Sequence, residues 1–395
     1  MKARIFTLLS LLMCVGLGIA ACGGGGGGGG SSTSTAATGG KSVASKGVIT
    51  GFGSVIVNGV KFDTSSTSVI SDDSGVPSSD LKVGMVVRVK GKINDDGVSG
   101  SATEIEYEDS LEGPAANVSA TGCSILGQNV TITATTVFDG AANMAAISSG
   151  QILEVSGFAN PGGSITATRI EKKGSAEYKV RGTVGSLDAT GKTFALTVTP
   201  ALIFTVNFST AQVVPNAGAL VNGAYVKVKS STAPSGTTIT ASKVSVKKSG
   251  LDDSDHAEVQ GPVADFNSAL KTFTVNGTKV DLSGISLPAG LADGVMVEVE
   301  GSLANGVLTA VKCKLELESE QELSKTGTVT AKTGTTLTVN GIVYTVTSST
   351  IFKDDSGKQD RLINFASIAI NDTVEVDGYS DPATNTIIAT KIERK

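Results

Sequence analysis

From about residue 47 to the C-terminus, apolar and polar positions alternate in short runs separated by Gly, Asn, Asp and Ser. In "LKVGMVVRVKG" (81–91), Val87 and Val89 fall on one face of a strand and Arg88 and Lys90 on the other. The same pattern returns in "SSGQILEVSG" (148–157), "LVNGAYVKVKS" (220–230), "LADGVMVEVEG" (291–301) and "AINDTVEVDG" (369–378). About ten residues after each comes a closing strand: "SATEIE" (101–106), "TATRIE" (166–171), "TASKVS" (240–245), "LTAVKCKLE" (308–316) and "IATKIE" (388–393). Earlier in several units, "GSVIVNGVKFD" (53–63), "KTFTVNGTKVD" (271–281) and "TTLTVNGIVYTV" (335–346) place Asn-Gly between two alternating strands. That is the strongest short-range hairpin signal.

Five units follow, at 47–109, 110–175, 176–250, 251–319 and 320–395. Each reads strand, strand, strand, short helical turn, strand, strand. Leu362, Phe365 and Ile368 mark such a turn by their spacing. This is the order of an OB-type five-stranded barrel. An immunoglobulin-like sandwich would want about seven strands in about 100 residues. The expected fold is therefore all-β, a tandem array of about five small OB-like β-barrels. Placed end to end they would form a rod on the order of 140 Å, bending chiefly at 249–256.

The N-terminus carries a different pattern. Lys2 and Arg4 precede the apolar run "IFTLLSLLMCVGLGI", and Ala20-Ala21-Cys22 ends it. This is a secretory signal, too short for a confident membrane span. With "IAAC" it resembles a bacterial lipoprotein signal. The resemblance implies cleavage after residue 21, diacylation of Cys22 and membrane attachment through the acyl chains. Gly23 is not an inner-membrane retention signal of the aspartate type, which implies the outer membrane. Residues 22–46, "CGGGGGGGGSSTSTAATGGKSVASK", read as a flexible leash.

The VNG hairpin, the G-x-x-VEV-x-G strand and the ATKIE strand resemble the tandem repeats of a domain of unknown function, DUF5666, of bacterial secreted lipoproteins. The likeness is best in units 1, 4 and 5. Unit 2 lacks a clear VNG, and unit 3 has Ser230 where the strand-ending Gly belongs. The family assigns no catalytic residue, so none carries over.

Composition narrows the chemistry. A formal net charge of −5 that deepens when Lys2 and Arg4 leave, no Trp and 4% aromatics argue against nucleic acid as a partner. Cys14 leaves with the signal and Cys22 is the lipid site, leaving Cys123 and Cys313 in different units, read as two separate thiols rather than a bridge. His256, the single histidine, lies in "LDDSDHAE" and reads as part of a solvated acidic linker. Asp252, Asp253, Asp255 and Glu258 gather oxygens there, so a calcium clip is the weak metal candidate, though without EF-hand spacing. "DDSG" at 72–75 and 354–357 reads as turn chemistry. Glu298 with Glu300, and Glu375 with Asp377, read as solubilising edge charges rather than a glycosidase pair. Tyr107, Tyr178, Tyr225, Tyr344 and Tyr379 read as sheet-surface residues, leaving glycan or envelope-protein contact open. The eight glycines Gly23–Gly30 open no helix and make no phosphate loop, and no cofactor is expected. The functional expectation is a non-enzymatic cell-envelope lipoprotein, a binding or spacer module. The alternative is a calcium-dependent or glycan-binding adhesin.

Overall fold

A computed structural model describes residues 40–395 except 53, 108, 176, 317–324, 357–360 and 382–385. The signal, Cys22 and most of the leash lie outside these residues. The described chain is all-β, with single 3-10 turns such as Ser78–Asp80 and Phe365–Ser367 as its helical elements. No helix among the described residues is long and apolar enough to cross a membrane.

Each unit closes on itself. In the first, Lys41–Gly51 pairs antiparallel with Val55–Val57, which pairs with Val60–Asp63. Val60–Asp63 then runs parallel to Ser99–Tyr107, which is antiparallel to Val86–Ile93. Val86–Ile93 returns to Lys41–Gly51. The ring 1-2-3-5-4-1, with one parallel pair, recurs in the other four units. Inward Val, Ile, Leu and Phe fill each ring; Val87 and Val89 are fully buried. The first ring begins at Lys41, so residues 41–46 belong to a strand and not to the leash.

The repeated glycines have a packing cause. The hairpin Asn of VNG adopts a left-handed φ, 50° at Asn58, 48° at Asn276 and 51° at Asn340. Its carboxamide donates across the barrel to the first strand: Asn58 to Lys46 O, Asn276 to Gln260 O, Asn340 to Thr326 O. The next residue of that strand is Gly47, Gly261 or Gly327, and a Cβ there would collide with the carboxamide. Unit 2, which lacks VNG, puts Leu126-Gly127 in the same turn (φ 49° and 79°) with Leu126 over Gly113.

A second glycine marks a bulge. The ladder slips after Lys90, Ser156, Glu300 and Asp377, where Gly91, Gly157, Gly301 and Gly378 lie against the carbonyls of the closing strand. Unit 3 has Ser230 instead. Its fourth strand ends there, and its closing strand is split into Thr238–Thr240 and Lys243–Val246.

The units do not simply follow one another in a line, as the rod requires. Val43–Lys46 of barrel 1 pairs in parallel with His256–Val259 of barrel 4, merging both barrels into one sheet. Lys179 pairs with Glu112 to merge barrels 2 and 3, and these two share one apolar cluster. Barrel 1 also touches barrels 2 and 3: Val86 N donates to Ser156 Oγ at 2.7 Å, and Glu106 accepts from Lys247 at 2.7 Å. Segment 249–256 is no free hinge: Lys90 of barrel 1 reaches Asp252 at 3.0 Å, and Ser42 N and Oγ donate to Asp255.

Candidate functional site: the charged junction of barrels 1, 2 and 3

The densest gathering of ionisable groups stands where three barrels meet. Its floor is the outward face of the fourth strand in barrels 2 and 3, with Glu154 on one and Lys227 and Lys229 on the other. Leu153 and Val155 flank Glu154, and Val226 and Val228 flank Lys227, all within the apolar cluster. Alternation that sends those apolar residues inward must send the charges between them outward, and here outward means into a neighbouring barrel.

Lys179, on the first strand of barrel 3, is the centre. Its Nζ lies 2.9 Å from Glu112 Oε2, 3.1 Å from Asp109 Oδ2, 3.2 Å from Glu154 Oε2 and 3.2 Å from Asp72 Oδ2. Lys227, 1% exposed, bridges Asp72 and Asp109, the latter at 2.7 Å. Lys229 adds 3.1 Å to Asp72. Tyr107 donates to Glu154 at 3.0 Å. Beside this core, Asp73 accepts from Lys247 at 2.7 Å and from Ser245, and lies 3.1 Å from Lys243. Lys247 also reaches Glu106 at 2.7 Å.

Asp72 and Asp73 come from the "DDSG" hairpin. Both take positive φ, 51° and 62°, between Ser68–Ser71 and Ser74–Val76. Turn chemistry accounts for the backbone, as two left-handed residues suit a tight hairpin. The carboxylates do something turn chemistry does not foresee: they dock barrel 1 onto the lysines of barrel 3, 155 to 174 positions away in sequence.

The electrostatics follow from burial against charge. Burial raises Asp72 and Asp109, but Lys227 and Lys179 outweigh it, and both carboxyls end below the ordinary range. Burial likewise raises Asp73, yet Lys247, Ser245 and Lys243 bring it down to about 2. Burial lowers Lys179, and Asp109, Glu154, Asp72 and Glu112 more than restore it, so its ammonium is held well above the usual lysine value. Glu112 goes the other way. Burial, with Glu154 next to it, pushes it up to about 7 despite Lys179. Burial, then Glu154 and Asp109, raises the Tyr107 hydroxyl.

Asp109, Glu112 and Glu154 have the spacing of a metal cluster, each offering an oxygen within 4.8 Å of the others. The Lys179 ammonium contacts all three and occupies the cation position. Glu112 near neutrality has the pKa of a general acid, but it faces that ammonium. The adjoining cleft of about 380 Å³ is lined instead by Asp72, Tyr107, Glu154, Glu171, Lys173 and Lys179.

The acidic segment anticipated as a calcium clip is dispersed by the fold. Asp252 engages Lys248 and Lys90. Asp253 accepts from the backbone of Asn305 (2.8 Å) and Gly306 (3.0 Å), and Asp255 turns to Ser42. Glu258 is buried with His256. His256 itself sits in the strand Ser254–Asn267, half-buried, rather than in a solvated linker. Its bond to Glu258, against the effect of burial, holds the imidazole above its ordinary value.

The tyrosines also depart from expectation. Tyr107 and Tyr344 are buried, which leaves them no face for stacking, and Tyr178 and Tyr225 are half-buried; the Tyr379 side chain lies outside the described residues. Glu375 and Asp377 lie on a central strand, not an edge, opposite Lys395 (2.7 Å) and Lys391 (2.8 Å). Burial first, then Glu316 and Glu258, pushes Glu298 up to about 7. Asp354 of the second "DDSG" accepts from Arg394 at 2.6 Å. Cys123 and Cys313 are free, and burial pushes both thiols up to about 11.

Closed five-stranded rings repeated along the chain, three of them meeting through outward charged faces, define a tandem β-barrel repeat protein. The sequence model of the domain of unknown function DUF5666 matches residues 46–106, 112–171, 260–314 and 326–393. The chain belongs to that family. Unit 3 lies outside the matched residues although it closes the same ring; it carries Ser230 where the other units have the bulge glycine. Among solved structures, one described as "drosophila Unr CSD456" is 14% identical, covering 56% of this chain and 98% of that one, with a TM-score of 0.13. No match was found among curated proteins.

Proposed function

We propose that this protein is a non-enzymatic lipoprotein of the cell envelope, anchored through Cys22 in the outer membrane, whose barrels serve as a binding or spacer module. The observation that carries the reading is the seating of Lys179 among Asp72, Asp109, Glu112 and Glu154. The ionisable groups of this junction are engaged in holding barrels together. Such a junction suits a body that keeps its shape at the end of a leash. The partner is an envelope protein or glycan, and an acidic chain does not favour nucleic acid. That Asp252, Asp253 and Asp255 each engage a different partner supports the spacer reading over the calcium-dependent adhesin.

The test is in-cell crosslinking with mass spectrometry, comparing the native chain with Cys22→Ser. The proposal expects the native chain in the outer-membrane fraction, crosslinked to envelope components, and the variant released and uncrosslinked. A native chain that fractionates as soluble would overturn the anchoring. Turnover of a substrate by the purified chain would overturn the non-enzymatic reading.

A further inference from the structure

Barrel 4 carries a second cluster, away from the junction. His256 and Glu258 are two apart on one strand, so their side chains share a face. Glu300 on the neighbouring strand is the register partner of Glu258 and shares that face. His256 Nε2 lies 3.3 Å from Glu258 Oε1, and His256 Nδ1 lies 4.0 Å from Glu300 Oε1. One ligand atom from each residue falls within 4.8 Å of the other two.

Two features make this more than a patch of acids. Like charges set directly opposite each other in a sheet repel, and here one of the pair, Glu258, is only 4% exposed. Glu258 Oε2 is buried and has no hydrogen-bond partner. A buried carboxylate oxygen without a donor is costly unless a cation meets it. Lys312 serves Glu300 at 3.9 Å and is 59% exposed, and His256 meets Glu258 through Oε1 alone, which leaves Oε2 without a partner.

We propose that His256, Glu258 and Glu300 form a binding site for a borderline divalent cation of the zinc type. One imidazole nitrogen and two carboxylate oxygens are its common donors, at ~2.0–2.2 Å. Ligands on tetrahedral zinc stand about 3.3 Å apart for bonds of that length; the His256 Nε2–Glu258 Oε1 pair already has that separation, and Glu300, whose ligand oxygen lies within 4.8 Å of the other two ligand atoms, would close in to complete the set. The two carboxylates balance the ion's charge, and the fourth position is left to water. An imidazole donor favours zinc, copper or nickel over calcium and magnesium, which take oxygen sets. Because His256 and Glu258 lie on the strand that pairs with Val43 and Ser45 of barrel 1, the bound ion would brace the seam of barrels 1 and 4.

The experiment titrates the full chain with Zn²⁺ by calorimetry and with Co²⁺ by visible absorption, alongside His256→Ala and Glu300→Gln. Both substitutions are at partly exposed side chains; Glu258→Gln, deep in the seam, is kept as a third variant. The expected result is one equivalent of Zn²⁺, intense d–d bands with Co²⁺, a higher melting temperature with Zn²⁺, and loss of the stoichiometric Zn²⁺ isotherm in His256→Ala. Absence of stoichiometric Zn²⁺ binding would overturn the proposal. So would binding unchanged in both variants, or equal competition by Ca²⁺.

Discussion

Lys179→Met removes the cation that Asp109, Glu112 and Glu154 share and leaves the buried carboxyls facing one another. Lys179 and these three acids are all under 10% exposed, so little solvent screening is available. Breaking a buried ion pair by deleting one partner costs about 3–5 kcal/mol, and here the deleted partner served several acids. The cost depends on pH in a fixed direction. In the native chain Asp72 and Asp109 sit below the carboxylate range, so the stability they add is present above about pH 4 and drains as pH falls. Without Lys179, Glu112, which burial already raises, holds its proton to still higher pH, while Asp109 keeps Lys227. The penalty is then small near pH 4 and grows to its full size by about pH 8. Calorimetric melts of the full chain at both pH values measure it, with hydrogen exchange over 68–76, 111–119 and 178–188 locating it. Lys312→Met, at a lysine 59% exposed, is the control and should stay within about 0.5 kcal/mol. A Lys179→Met penalty equal at pH 4 and pH 8, or no larger than the control, would refute the role given to this ammonium.

Three further outcomes follow from the same structure. Glu112, raised from 4.5 to about 7, adds its proton-linked stability below about pH 4.5 and loses it as pH rises through 7; at about 1.36 kcal/mol per pH unit, Glu112→Gln should gain roughly 2–3 kcal/mol on the native chain between pH 5 and pH 8. Equal effects at both pH values in thermal melts would count against it. Asp73→Asn should cost about 2 kcal/mol at pH 7 and converge with the native chain near pH 2, the value to which Asp73 is lowered; denaturation across that range decides it. Gly327→Ala should destabilise barrel 5 by about 1–3 kcal/mol through collision with Asn340, and adding Asn340→Ala should recover part of the loss, so additive costs in a double-mutant cycle would show that the two do not pack together.

The strand order, the hairpins and the five closed barrels were legible because they are local. Alternation decides which face of a strand is apolar, Asn-Gly decides where it turns, and a unit closes within about 70 residues. Even unit 3, unlike its neighbours in sequence, kept its inward Val226 and Val228. What the alternation could not say was what covers the outward face. Read along the chain, Glu154, Lys227 and Lys229 resemble ordinary surface charges, "DDSG" a plain turn, and His256 part of a polar linker. The junction's charges acquire their roles from other barrels: Asp72 meets Lys227 across 155 positions, and Ser42 meets Asp255 across 213. A period of two residues encodes inside against outside within one barrel. Which outside faces meet, and therefore which charges are buried, depends on how barrels pack, and that was decided by the tertiary structure alone.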